Sequence, residues 1–258
     1  MATVIAETRG RVRIVTLDRP ESLNAFNADL FDDLTDEFLD ATVDDDVRVL
    51  VLTGAGRAFS AGADLTQMGD STATPRHGFP GLLDAIVDFP KPFVLAINGL
   101  GVGIGATIAG LADLTFIAEG ARLRCPFTAL GLTAEAASTY TYPRLLGPQR
   151  AMWFLLSSEW MDAEQCVEAG LALEVCEPGA LMDRALEQAS ALAELPPASL
   201  AATKRLVVGA QREQLRAAIR AENEELDHLL DGPANREAIA AFREKRSPDF
   251  SALNESVS

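Results

Sequence analysis

The sequence predicts a mixed α/β fold with a parallel sheet, followed by a largely helical C-terminal third. Three observations carry this. Apolar runs at 93–97 and 114–118 flank a short apolar helical stretch at 105–112, the strand–helix–strand spacing of a parallel pair. Two turns poor in side chains each follow an apolar run. They are Ser60-Ala61-Gly62-Ala63-Asp64 after 47–53, and Asn98-Gly99-Leu100-Gly101-Val102-Gly103-Ile104-Gly105 after 93–97. Beyond Leu145 the pattern changes to helical periodicity.

Each element has a local reason. Residues 11–17 alternate, are β-rich and stop at Asp18-Arg19-Pro20. Residues 27–43 place Leu30, Phe31, Leu34 and Phe38 at helical spacing. VRVLVLT at 47–53 is a buried strand, and 93–97 and 114–118 are two more. The stretch 69–81 (GDSTATPRHGFPG) has no period; it reads either as a mobile wall of a ligand site or as a tolerated surface insertion. Helices are expected at 149–157, 162–169 and 179–194, with one long helix or a helix pair at 199–230. Met152, Trp153, Phe154 and Trp160 read as core or subunit contact.

Composition excludes several functions. Of 258 residues, 48% are hydrophobic, enough for a substantial core. A net charge of −16 argues against non-specific nucleic-acid binding and against an anionic membrane surface. Cys125, Cys166 and Cys176 form no C-x-x-C pair and read as reduced thiols. With only His77 and His228, a metal site is not expected. The N-terminus lacks a signal-peptide profile and no apolar run is long enough to span a membrane, so a cytoplasmic protein is expected.

The turns suggest chemistry. Backbone with few side chains approaches a ligand closely, and its exposed N–H groups can bind a developing oxyanion. A base is then needed from elsewhere. A rival reading takes Gly101-x-Gly103-x-x-Ala106 with Glu119 as a dinucleotide-binding fingerprint. Against it, the motif lies far into the chain and leaves the first turn unexplained. Glycines serving only helix–sheet packing are the plainer alternative.

The motifs run in order: Asp18-Arg19-Pro20 with Leu23-Asn24-Ala25, then Arg57-Ala58-Phe59-Ser60-Ala61-Gly62-Ala63-Asp64-Leu65, then Ile97-Asn98-Gly99 through Gly105 with Leu111-Ala112-Asp113. Glu168-Ala169-Gly170-Leu171-Ala172 and Phe242-Arg243-Glu244-Lys245-Arg246 complete the set. Taken together, they resemble the crotonase superfamily of enoyl-CoA hydratases and isomerases. The resemblance covers essentially the whole chain. It implies a spiral of ββα repeats over 1–195 and a helical, trimerising region over 196–258.

It also implies roles. The N–H groups of Ala63 and Ile104 would bond the thioester oxygen of an acyl-CoA. Ser22, Leu23, Ala25 and Ala61 would contact CoA through backbone, with Asp64 in the same turn bonding local amides. Phe242 and Lys245 would approach the adenine and 3′-phosphate, often from a neighbouring subunit. For Lys245 a solvated position on a charged helix is the competing reading. No separate cofactor is implied, since CoA is part of the substrate, and the assembly implied is a homotrimer or a dimer of trimers.

Departures from the hydratase pattern sharpen this. Where hydratases carry two Glu residues, this chain has Thr107 and Phe127. Neither can activate water. Glu135, in Leu130-Gly131-Leu132-Thr133-Ala134-Glu135-Ala136-Ala137-Ser138, is similar to the base of the peroxisomal type of Δ3,Δ2-enoyl-CoA isomerase, as are Val102-Gly103-Ile104 and Tyr140-Thr141-Tyr142-Pro143. The implied reaction moves a 3,4 double bond to the 2,3 position with Glu135 as acid and base. The alternatives are a non-catalytic acyl-CoA binder, hydratase-type activity, and Glu135 as an ordinary first-turn acid of a helix capped by Thr133.

Overall fold

A computed structural model of the chain describes residues 2–65, 75–251 and 253. The chain opens with a hairpin of β1 (Val4–Arg9) and β2 (Val12–Leu17). Helix α1 (Ala28–Val43) follows, its first turn capped by the Asn27 side chain, which accepts the Leu30 N–H at 3.0 Å. Next come β3 (Val49–Gly54), β4 (Ala58–Ser60), α2 (Gly78–Asp88), β5 (Phe93–Ile97), β6 (Leu100–Val102), α3 (Ile104–Thr107), β7 (Leu114–Ala118) and β8 (Arg122–Arg124). The rest is α4 (Ser138–Leu145), α5 (Pro148–Ser157), β9 (Trp160–Asp162), α6 (Ala163–Glu168), β10 (Glu174–Cys176), α7 (Leu181–Ala193), α8 (Pro197–Gly209), α9 (Arg212–Leu229) and α10 (Pro233–Glu244).

The strands divide between two sheets. One runs β1-β2-β3-β5-β7-β10, all parallel except the first hairpin; the other runs β4-β6-β8-β9, with only β9 antiparallel to its neighbour. The pairs β3/β4, β5/β6 and β7/β8 each send a first strand to the large sheet and a second, short one to the small sheet. This is the repeat of a ββα spiral.

Both faces of the central strands β3, β5 and β7 are covered, which is why they read as nearly continuous apolar runs. Leu50, Leu52, Phe93, Leu95 and Ile97 join the main core with Leu30, Leu34 and Phe38 of α1. The alternate residues Val49, Val51, Val94, Ala96 and Phe116 pack with Leu181, Ala185 and Ala189 of α7.

The structure corrects some expectations and narrows others. The apolar helix at 105–112 is a single turn, α3, continued by a 3-10 turn at Ile108–Gly110. The stretch 199–230 is a helix pair. β1 and the three-residue β9 and β10 are strands that local pattern did not reveal. Of the loop at 69–81, residues 69–74 lie outside the described residues and 78–81 form the start of α2. Phe154 is core, whereas Met152 and Trp153 of the same helix are exposed. Among the described residues no helix is long and apolar enough to cross a membrane.

Candidate active site

The first turn is assembled by a buried asparagine. Asn24, left-handed at φ 56°, accepts the Arg19 N–H through Oδ1 at 2.9 Å, and its amide donates to the carbonyls of Ala55 and Ala58, both at 2.9 Å. Its own carbonyl accepts the Ser60 hydroxyl at 2.8 Å, and Ser60 Oγ in turn accepts the Gly62 N–H at 3.1 Å. Gly62 is required where it stands. Its φ is +86°, and a Cβ there would lie 2.7 Å from the Val102 carbonyl of β6.

These contacts bring together Ser22, Leu23, Ala25, Ala61, Ala63 and Asp64. Ala61 N–H bonds Leu23 O at 2.9 Å. Phe26 forms a parallel bridge with Ala63, in which Phe26 N–H bonds Gly62 O and Asp64 N–H bonds Phe26 O. Such a bridge uses the groups flanking Ala63, so the N–H of Ala63 itself points the other way. The carboxylate of Asp64 meets the Arg19 guanidinium at 3.2 Å, and that guanidinium also donates to Ala25 O. Asp64 therefore fastens the opening motif to the turn.

A second asparagine couples the second turn to the first. Asn98 Oδ1 accepts Gly54 N–H at 3.2 Å, and its amide donates to Gly56 O at 3.1 Å and Ala58 O at 3.2 Å. Gly103, at φ +55°, bonds its N–H to Arg124 O, while its carbonyl takes the N–H groups of Ala106 and Thr107. The first N–H of α3, that of Ile104, has no helical acceptor behind it. Among the described residues neither Ala63 N–H nor Ile104 N–H has a hydrogen-bond partner. The Ile104 side chain is core, so only its backbone is presented here.

Glu135 faces these turns. A Cβ built on Gly103 would lie 3.8 Å from Glu135 Oε1 and 3.8 Å from Gly62 Cα. Glu135 sits in irregular backbone ahead of α4, not in a helical first turn, and Thr133 caps no helix. Ser138 anchors it by bonding Glu135 O with both N–H (3.1 Å) and hydroxyl (2.7 Å). Some of the residue is accessible, but its carboxyl group is enclosed. Burial, with the charge of Glu222 added, pushes the carboxyl up to about 8. No helix start lowers it, because α4 begins only at Ser138. Thr107 is fully buried with its hydroxyl on Gly103 O at 3.3 Å, and Phe127 is in the core.

Phe242 and Lys245 lie at the exposed end of α10. Among the described residues no hydrogen bond or ion pair ties either side chain to the Ser22–Ala25 backbone. Sequence reasoning missed three supports: the Arg19–Asp64 pair, Tyr142, whose hydroxyl bonds Ala106 O at 2.8 Å, and Glu222. Glu222 had a signal, an acid on the Leu215–Ile219 face of an amphipathic helix.

Strand pairs feeding two sheets, and two backbone turns opposite the enclosed carboxyl of Glu135, define a crotonase-type acyl-CoA enzyme. The sequence model of the family described as enoyl-CoA hydratase/isomerase matches residues 7–253, and the chain belongs to that family. It is 36% identical over 97% of its length, and 99% of the relative's, to 2,3-dehydroadipyl-CoA hydratase of Escherichia coli K12. It is 30% identical over 83% of its length to rat enoyl-CoA delta isomerase 2, covering 56% of that protein. The crystal structure of an enoyl-CoA hydratase/isomerase from Pseudoalteromonas atlantica T6c superposes with a TM-score of 0.92 at 34% identity, covering 96% of this chain and all of that one. The protein is thus an enzyme of the enoyl-CoA hydratase/isomerase class, with an acyl-CoA thioester as the consistent substrate, and the dinucleotide alternative falls away.

Proposed function

We propose that the protein isomerises 3-enoyl-CoA to trans-2-enoyl-CoA. One observation carries the reading: Glu135 faces the two small-residue turns, while Thr107 and Phe127 occupy the positions where hydration needs acids. In this reaction Glu135 removes a C2 proton. The C2–H electron pair forms a C1=C2 bond as the carbonyl pair moves onto oxygen, giving a dienolate conjugated with the C3=C4 bond, whose oxygen accepts the N–H groups of Ala63 and Ile104. Glu135 then returns the proton at C4. A carboxyl held near 8 suits both directions, because it takes a proton and releases it at similar cost. A positioned base is worth about 10²–10⁴ in rate, and each oxyanion donor about 10²–10³.

The CoA moiety lies along the backbone of Ser22, Leu23, Ala25 and Ala61, with Asp64 holding that backbone through Arg19. Phe242 and Lys245 reach the adenine and 3′-phosphate of a neighbouring subunit in a trimer or dimer of trimers. CoA enters as part of the substrate, and no other cofactor takes part.

The similarity to a hydratase makes hydration the competing outcome. It requires water activation and proton delivery at once, which one carboxyl serves poorly. The test is an activity panel of 3-enoyl and 2-enoyl thioesters of several chain lengths, with Glu135→Ala alongside. Isomerisation of 3-enoyl substrates, lost in Glu135→Ala with acyl-CoA binding retained, supports the reading. Faster hydration of 2-enoyl substrates, or an active Glu135→Ala enzyme, overturns it. Binding without turnover on either substrate identifies a non-catalytic acyl-CoA binder.

A further inference from the structure

A carboxylate from the C-terminal helices reaches the turn that carries Glu135. Leu215, Ile219 and Glu222 share one face of α9. The two apolar members pack with Leu83, Val87, Ala136 and Ala137. Glu222, only 4% exposed, turns its carboxyl onto the backbone just past Glu135. Oε2 accepts the Ala137 N–H at 2.7 Å; Oε1 accepts the Thr139 N–H at 2.9 Å and the Thr139 hydroxyl at 2.5 Å.

Those backbone donors lie at the head of α4, where no helical carbonyl can reach them. The residues they flank are also conformationally demanding. Ala136 and Ala137 are both left-handed, at φ 57° and 56°, and alanine holds that conformation only where its surroundings enforce it. Glu222 is therefore placed to hold the reversal between Glu135 and α4. A carboxylate buried this far is costly unless bonded, and here three donors satisfy it.

We propose that Glu222 is a positioning residue for the reaction, locking the Ala136–Ala137 reversal so that the Glu135 carboxyl stays over Gly103 and the two N–H groups. This rests on the reading of Glu135 as the acid/base. Its charge also adds to burial in holding the Glu135 carboxyl up. Among the described residues the other titratable group that bears on this pair is Cys125, just past β8, kept neutral by burial. Among the described residues no Lys, Arg or His bears on either carboxyl.

The test compares Glu222→Gln and Thr139→Val with wild type on a 3-enoyl-CoA thioester. It measures kcat, KM, the pH profile of kcat/KM and thermal unfolding, with Glu135→Ala as the reference. Glu222→Gln keeps the shape, removes the charge and sets an amide N–H₂ against an N–H donor. The expected result is a kcat lower by about tenfold to a hundredfold with KM unchanged within about twofold. The acidic limb of the pH profile also moves to lower pH. Thr139→Val leaves both N–H bonds to the carboxylate and weakens only its charged form, so the limb moves the same way by less. A merely structural Glu222 would lower Tm and leave the limb in place, and that result overturns the proposal, as does a wild-type kcat. If Glu222→Gln does not fold, the limb in Thr139→Val decides. An inactive Glu135→Ala with an unaltered Glu222→Gln overturns this inference alone; an active Glu135→Ala overturns the base assignment with it.

Discussion

Gly103 and Glu135 face one another across the site: the position of a Cβ on Gly103 lies 3.8 Å from Glu135 Oε1. There is room for a methyl group at that distance, so the demand for glycine comes from the backbone. Gly103 adopts φ 55° and ψ −122°, which a side chain disfavours. Gly103→Ala should therefore destabilise the protein by about 1–3 kcal/mol, measured by urea unfolding. It should also lower kcat more than it raises KM, because relieving the strain rotates the Ile104 N–H away. Wild-type stability in this variant would contradict the strain argument.

The titration of Glu135 makes two signed predictions. Its ordinary value is 4.5 and its folded value about 8. Between these the folded state binds more protons than the unfolded one, so stability falls as pH rises through that window. Glu135→Gln removes the dependence and should be more stable than wild type at about pH 9, the difference vanishing near pH 4. The base must be ionised to take a proton, so kcat/KM should rise with pH and level off above about 8. A flat profile from about pH 6 to 9 would count against Glu135 as the base.

What the sequence disclosed follows from where the information sits. β5 and β7 were legible residue for residue because both sheet faces are buried and the runs are apolar but for Thr115. α1 was legible from its period and its Asn27 cap. The three-residue strands β6, β8, β9 and β10 carry no period and exist only through pairing with distant segments. Glu135 was legible only through resemblance. Local pattern beside Thr133 suggests a helix start, but the helix is delayed by the left-handed Ala136–Ala137 pair, and the carboxylate on that turn lies 85 residues further along the chain. Asn24 was visible as a motif letter, but its hydrogen bonds to Arg19, Ala55, Ala58 and Ser60 were not.

The Arg19–Asp64 pair should matter for substrate binding more than for chemistry. Both side chains are largely buried, at 13% and 10% exposure, and the guanidinium also holds Ala25 O. Asp64→Asn leaves a largely buried cation short of its counter-charge, at a cost of about 1.5–3 kcal/mol. Because Ala25 and Ala61 move with this joint, KM for the acyl-CoA should rise while kcat holds. A double-mutant cycle with Arg19→Ala isolates the pair from the other contacts of Asp64. Additive effects would mean that the pair contributes no coupling.

The exposed face of α5 is the place to test assembly. Met152, Trp153 and Leu156 are 55%, 67% and 56% exposed, while Phe154 on the same helix points into the core. Large apolar and aromatic groups grouped on one helix face mark a contact surface. We expect the wild type to run as a trimer or a dimer of trimers by size exclusion with light scattering. Met152→Glu with Trp153→Glu should give monomers, since a carboxylate cannot be buried unpaired in an apolar contact. If Phe242 and Lys245 serve a neighbour's CoA, the same double variant should raise KM for acyl-CoA several-fold and leave the Glu135 pH limb unmoved. Trimers that persist in the double variant would place the subunit contact on another face, and monomers with unchanged KM would return Phe242 and Lys245 to an ordinary solvated helix end.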